Sequence, residues 1–296
     1  MISYSITHKT IYRYQSPVAC SHHVARLKAV SNFRQSCEAF QLAISPEPEQ
    51  LIERVDYFGN HVHQFSLQKP HQEFVAESKS IVAVESPGAP FPEIAATCHE
   101  VREALHRSDN EELFDAMQFT YPSTVVRFDD AIADFASPFF PDDGRFLSGV
   151  LELAEHIYEH FVFDPTATDV TTPVNDVLTM KRGVCQDFAQ FAIACIRSMG
   201  LPVRYVSGYL LTNPPEGQKR LEGADASHAW ISIFDPDLGW IDVDPTNNMI
   251  CGNQHIVVGH GRDFQDVSLI GGAVTGGGSH QIEVAVTVTP IESVRA

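Results

Sequence analysis

Cys185, His228 and Asp244 lie in the second half of the chain, and together they could form and break an acyl bond. Cys185 follows Arg182-Gly183-Val184 and opens a run whose apolar residues are Phe188, Phe191, Ala192, Cys195, Ile196 and Met199. That spacing predicts an amphipathic helix from about Cys185 to Met199, ended by Gly200 and Pro202. Its first turn carries unpaired backbone N–H groups and the positive end of the helix dipole, which favour a thiolate, the nucleophilic form. Cys195, on the apolar stripe of the same helix, reads as a core thiol. Taken by itself, Cys185 reads equally as a small buried residue.

His228 stands near the start of a strand predicted over Ser227–Phe234, beside a polar loop at 213–226. A lone histidine of this kind is more often structural. Asp244 ends the strand Trp240–Val243, where Pro245 must stop regular pairing, and an Asp-Pro pair is a common turn start. Geometry connects the two. If the strands flanking the Asp235–Gly239 turn pair symmetrically about Asp237, position 228 faces position 246. His228 and Asp244 then become diagonal neighbours on one face. A one-residue slip would part them, and Asp242, of the same strand parity, is the rival carboxylate. A thiol, an imidazole to take its proton and a carboxylate to orient the imidazole meet the requirement for a nucleophilic triad.

The elements that must position these groups change character along the chain. Residues 1 to about 85 read as strands. Ile2, Tyr4 and Ile6 alternate, Phe40–Ile44 and His61–Phe65 are short strands around a Phe58-Gly59-Asn60 turn, and Phe74–Val84 alternates again. A linker rich in proline and glycine follows at 86–92. From about 93 the period becomes helical, with a short helix over Glu93–Leu105. A second helix carries Leu147, Val150, Leu151, Ala154, Ile157, Tyr158 and Phe161. A third spans Val174 to about Arg182, with Thr172 as N-cap and Pro173 at N1. After the cysteine helix come strands at Val203–Leu211, Ser227–Phe234 and Trp240–Val243, a flexible loop from Val257 onward that includes Gly271, Gly272 and Gly276–Gly278, and a last strand at Ile282–Val288. The division expected is a β domain over 1–90 and a core over 91–296 that includes the C-terminal strands.

Composition narrows the class. The 296 residues are 44% hydrophobic and 20% charged, which is ordinary globular composition, and the net charge of −18 disfavours nucleic acid or anionic membrane as a partner. There is no apolar run of about 18 residues and no secretory leader pattern at the start. The six cysteines contain no CxxC pair and are too sparse for a disulfide scaffold, so a reducing cytoplasm fits. The oligomeric state is not legible.

Four blocks together resemble a known family: Gly183-Val-Cys185-Gln-Asp-Phe188, Arg204-Tyr-Val-Ser-Gly-Tyr209, Ser227-His228-Ala-Trp230 and Trp240-Ile-Asp-Val-Asp244-Pro-Thr-Asn247. They are similar to the transglutaminase-like superfamily, in its bacterial two-part group of proposed cysteine proteases. Tyr4–Tyr14, Asp56–Asn60 and Gly261–Val267 extend the resemblance over nearly the whole chain. It implies an α+β fold, with a papain/transglutaminase-like core in which the cysteine helix packs on an antiparallel sheet, plus an N-terminal antiparallel β domain. It implies Cys185 as nucleophile, His228 as base and Asp244 as orienting acid, with no metal and no cofactor. Mammalian-type transglutaminases carry Trp directly after the nucleophile, whereas Gln186 stands here.

The expected activity is therefore thiol-dependent acyl transfer on a peptide or isopeptide amide through a thioester. Hydrolysis is favoured over protein-glutamine amine transfer, and a non-catalytic binding module on the same fold is the reading from another class. Gln186, Tyr209 and Trp240 are weak substrate-binding candidates. His156 and His160, at i and i+4, have a spacing that suits zinc but lack a third ligand. His61 and His63 share a strand face and read as structural. The glycines at 271–278 match no nucleotide-binding pattern.

Overall fold

The computed structural model describes residues 1–85, 88, 90–107, 110–212 and 227–291, so the polar loop expected at 213–226 lies outside the described residues. Two antiparallel sheets and a set of helices are arranged around one long strand and one helix.

The first sheet is organised by β1 (Ile2–Ala25), which is far longer than the alternation at its start suggests. Around it lie β2 (Gln35–Ser45), β3 (Leu51–Val55), β4 (His61–Leu67) and β5 (His71–Val84), in the order β2-β5-β1-β4-β3. The other edge of β1 is taken by the end of the chain.

The middle of the chain supplies α1 (Cys98–Leu105), α2 (Glu111–Met117), α3 (Asp130–Ala136) and α4 (Phe146–His160). It continues through a parallel pair of two-residue strands, β6 (Val162–Phe163) and β7 (Arg182–Gly183), with α5 (Val174–Met180) between them. Pro173 is the N-cap of α5 rather than its first residue, and the helix ends on Lys181 in the left-handed conformation. The cysteine helix is α6 (Cys185–Ser198). The second sheet follows as β8 (Val203–Leu210), β9 (Ser227–Asp235), β10 (Gly239–Asp244), β11 (Met249–Ile250) and β12 (His255–Gly261), in the order β11-β10-β9-β8-β12. The chain closes with α7 (Phe264–Val267), β13 (Ile270–Gly276) and β14 (His280–Ile291).

The apolar stripe of α6 explains its place. Phe188, Phe191, Ala192, Cys195 and Ile196 are buried against Ile231, Ile233, Ile241 and Val243 of the sheet and Leu147, Val150 and Ala154 of α4. At roughly 1.5–3 kcal/mol for each fully buried large apolar side chain, this stripe holds α6 on the sheet with more energy than its intrinsic helix propensity supplies. Toward the Tyr209 end of β8, and on β12, a second core is shared with the first sheet. There Tyr209, Ile256 and Val258 meet Tyr4, Ile6, Val82, Val84, Val286 and Val288.

Two expectations need correction. The stretch from Val257 onward is not simply a loop: it holds the end of β12 and α7, β13 pairs with Val18–Ala25 of β1, and only Gly276–Gly278 form the positive-φ turn into β14. The C-terminal strands, grouped with the core on sequence order, hydrogen-bond to β1 from Ser3↔Ile291 to Tyr14↔His280 and so belong to the N-terminal sheet. Order along the chain cannot reveal this, since the pairing joins segments some 270 residues apart.

Two side chains weld the halves together. Asn60 brackets the β12 backbone, donating to His260 O at 2.9 Å and accepting from His260 N at 2.9 Å. Gln35 does the same at Val257, donating to its carbonyl at 2.7 Å and accepting from its N–H at 2.8 Å.

Candidate active site

Cys185 is the first residue of α6, half-buried at the edge of the main core. The local sequence builds that position. Asp187, in the first turn and 2% exposed, turns its carboxylate back to accept from Val184 N at 2.8 Å and from Thr168 Oγ1 at 2.6 Å. This ties the helix start to the preceding turn and puts a negative side chain at the positive end of the dipole. Gly183 makes room for it: a Cβ there would lie 2.7 Å from the Asp187 carboxylate and 2.8 Å from its Cβ.

His228 is the second residue of β9, and Asp244 ends β10. The ladder runs Gly239↔Asp235, Trp240↔Phe234, Ile241↔Ile233, Asp242↔Ser232 and Val243↔Ile231. That is the symmetric register about Asp237, so 228 and 244 are diagonal neighbours. Their side chains meet, with His228 Nε2 donating to Asp244 Oδ2 at 2.7 Å. The other ring nitrogen, Nδ1, remains for the Cys185 thiol, which lies close enough to act on the charge of His228. On the neighbouring strand Gly208 faces His228 in register. A Cβ at Gly208 would strike Ile256 O at 2.1 Å and the Trp230 ring at 2.5 Å, so only glycine fits above the tryptophan under the site. Trp230 is wholly buried, 6.0 Å from the His228 ring centre.

The electrostatics follow from these contacts. Burial alone would lower the His228 pKa, but the hydrogen bond to Asp244 and the nearby Cys185 outweigh it and push it up to about 10. Burial would raise that of Asp244, yet hydrogen bonds from His228 and His255 hold it far below the usual carboxylate range. The buried thiols behave oppositely. Desolvation pushes Cys98 up to about 11 and raises Cys195 and Cys251. Thiolate chemistry is thereby disfavoured at those positions.

The rival Asp242 is engaged elsewhere, 3.4 Å from Arg34 Nη1. The weaker substrate-binding candidates fare unevenly. Gln186, beside the nucleophile, keeps partial exposure. Tyr209 is 1% exposed, its hydroxyl 3.0 Å from His8 Nδ1 in the core between the sheets, so it has no surface to offer a substrate. Trp240 lies at the far end of β10 from Asp244. The Arg204 guanidinium stacks 3.8 Å over its ring, and it walls a cavity of about 320 Å³ with Phe33, Arg34, Leu238 and Ile250 rather than the space beside Cys185. His156 and His160 stack on each other at 4.2 Å, and His61 and His63 both approach Glu53.

Three contributors escape sequence reading: Asp187, Asn247 and His255. Asn247 Nδ2 donates to Asp244 Oδ2 at 2.6 Å, and His255 Nε2 at 3.2 Å. The first two fall inside the recognisable blocks, but His255 lies in a stretch with no periodic signal. His228, Asp244 and His255 present ligand atoms within 4.8 Å of one another. The donor set suits hydrogen bonding better than a metal. Ligation through His255 Nε2 would move its proton to Nδ1, which is buried without a partner, whereas metal-bound histidines almost always donate from the second nitrogen.

Residues 140–245 match the transglutaminase-like superfamily, and residues 4–83 match the family described as bacterial transglutaminase-like N-terminal region. An uncharacterized protein of Mycobacterium tuberculosis is 37% identical over 294 residues, covering 98% of this chain and 93% of its own. One of Mycobacterium leprae is 34% identical over 288 residues, covering 96% and 97%. A proposed cysteine protease of Cytophaga hutchinsonii superposes over 100% of this chain and 92% of its own with a TM-score of 0.77 at 19% identity, which shows a common fold. A protein-glutamine gamma-glutamyltransferase of Pseudomonas aeruginosa is 27% identical over 118 residues, covering 39% of this chain and 18% of its own. The chain belongs to the transglutaminase-like superfamily, with its papain-like α+β fold. It is accordingly a thiol-dependent acyl-transfer enzyme in the general sense.

Proposed function

We propose that the protein hydrolyses an amide bond in a peptide or isopeptide through a Cys185–His228–Asp244 triad and a thioester. The observation that carries this is the position of His228, whose Nε2 meets Asp244 Oδ2 at 2.7 Å while the Cys185 thiol stands close enough to favour its charged form. The Cys185 proton passes to His228 Nδ1, and the thiolate attacks the amide carbonyl carbon. The oxyanion meets the positive end of α6, where the Cys185 backbone N–H has no helical acceptor. The imidazolium returns its proton to the leaving nitrogen, the C–N bond breaks, and an amine departs. Water then attacks the thioester, giving a proton to His228. The tetrahedral adduct collapses to the acid and the thiolate, which recovers its proton.

Asp244 stays ionised throughout. Oδ2 accepts from His228, His255 and Asn247, while Oδ1 accepts from Thr246 N at 2.9 Å and Asn247 N at 3.2 Å. A carboxylate so fully served with donors is a poor base, so its work is to orient and to stabilise the imidazolium.

Amine transfer is the second reading, favoured by the local likeness to the Pseudomonas transferase. Gln186 in place of tryptophan after the nucleophile supports hydrolysis. A screen of peptide amides with and without a fluorescent primary amine decides between them. Acid release unaffected by the amine supports hydrolysis, and amine incorporation supports transfer. Cys185→Ala should lower either activity by ~10³-fold or more. Full turnover in a folded Cys185→Ala protein overturns the thioester scheme.

A further inference from the structure

We propose that His255 is a positioning residue of the thiol site. In this role its Nε2–H acts as a second imidazole donor on Asp244, keeping the shared proton on His228 so that the imidazolium remains opposite Cys185. The inference rests on the triad reading and extends it to a residue that lies outside the recognisable sequence blocks.

Asp244 is completely buried, and how firmly such a carboxylate keeps its charge, rather than taking the proton offered by its partner, depends on every donor it holds; Asn247 Nδ2 and the Thr246 and Asn247 N–H groups supply three, and His255 adds a further one on the oxygen that His228 contacts. Taking that proton would leave His228 neutral and the Cys185 thiolate without a counter-charge. His255 approaches the same Oδ2 that His228 contacts, at 3.2 Å against 2.7 Å. It is held there rather than mobile: it is 3% exposed, with Trp230 edge-on at 5.2 Å and the His228 ring 6.3 Å away. Its Nδ1 is buried without a partner, which fixes the proton on Nε2.

The charged and titratable groups around the pair are few. Asp244 and His228 face it directly, with Cys185 beyond His228. The Asp242–Arg34 ion pair lies two residues along β10, and the buried Cys251 thiol senses Asp242, Asp244 and Arg34. Besides His228 and His255, the Asp244 carboxylate is bonded by Asn247 Nδ2 and the Thr246 and Asn247 N–H groups, and by no lysine or arginine among the described residues. Removing the His255 donor therefore shifts the proton toward Asp244.

The test compares His255→Gln, whose amide nitrogen can take the place of Nε2, with His255→Met, similar in length but without a donor. The readout is the rate of Cys185 alkylation by iodoacetamide between pH 5 and 9, followed by peptide mass spectrometry so that the other thiols do not interfere. It needs no substrate. His255→Met should alkylate about three- to tenfold more slowly than wild type near pH 6, with the difference vanishing at high pH, and His255→Gln should recover most of the rate. His255→Phe serves in place of His255→Met if the latter is unfolded by near-UV circular dichroism. Equal profiles for wild type and the donorless variant, with Asp244→Asn slowed, overturn the role of His255 and leave the triad standing. If Asp244→Asn also reacts like wild type, the triad reading fails and takes this inference with it.

Discussion

Asp244 meets His228 across a hairpin in which neither residue faces the other directly: position 228 lies opposite 246, and the 2.7 Å bond is a diagonal one. Asp242, two residues earlier on the same strand, is paired instead with Arg34 from the N-terminal half. The register thus selects between two carboxylates that sequence parity leaves equivalent.

Asp244→Asn should reduce kcat/KM by roughly 10- to 10³-fold, because an amide supplies no charge and can donate to the ring, which selects the wrong tautomer. Asp242→Asn should leave kcat/KM within a few-fold and instead lower the thermal midpoint, through loss of the Arg34 pair. Steady-state kinetics beside calorimetry on both variants checks the division. A crippled Asp242→Asn with a normal Asp244→Asn would reverse the assignment.

Stability should report the imidazolium. The His228 pKa rises from 6.5 unfolded to about 10 folded, so its contribution is fully present below about pH 6.5 and is lost as pH rises toward 10. Asp244 is shifted the other way, so its contribution is present above its unfolded value of 3.8 and lost as pH falls toward its lower folded value. The difference in thermal midpoint between wild type and His228→Gln should therefore be largest between about pH 4 and 6.5 and close to nothing at pH 10. A difference that is flat across this range would contradict the assigned charge on His228.

Gly183→Ala should move the nucleophile without touching it. The added methyl meets the Asp187 carboxylate at 2.7 Å, displacing the group that caps α6. A loss of about 1–2 kcal/mol, the scale of a lost helix cap, is expected in denaturant unfolding, together with slower Cys185 alkylation. Alkylation at the wild-type rate would show that the cap does not position the thiol.

Deleting residues 1–92 should leave an aggregating remainder. It strips β13 and β14 of their central partner and uncovers Tyr209, Ile256 and Val258, which pack against Tyr4, Ile6 and Val82. We propose that the N-terminal half shapes the cleft rather than performing chemistry, since the triad lies after residue 180. A soluble remainder acting normally on the same substrate would refute this. Size-exclusion chromatography and activity measurements check both points.

Much of this protein is determined locally. The α6 stripe, the glycine and proline that end it, the cysteine at its first turn and the turn at Asp235–Gly239 follow from short-range periodicity and backbone chemistry, and they are legible in the sequence. The hairpin register is nearly so, because a short turn leaves few alternatives. What the tertiary structure decided is which distant groups converge. The C-terminal strands flank β1, Arg34 takes Asp242 out of contention, Tyr209 turns into the core between the sheets, and His255 arrives beside Asp244 from a strand across the sheet. None of these has a local signal, because each depends on contacts between segments whose meeting is set by the burial of shared apolar faces. Hydrophobic burial is non-directional: a sequence shows which faces must be covered, and only the folded chain shows by what.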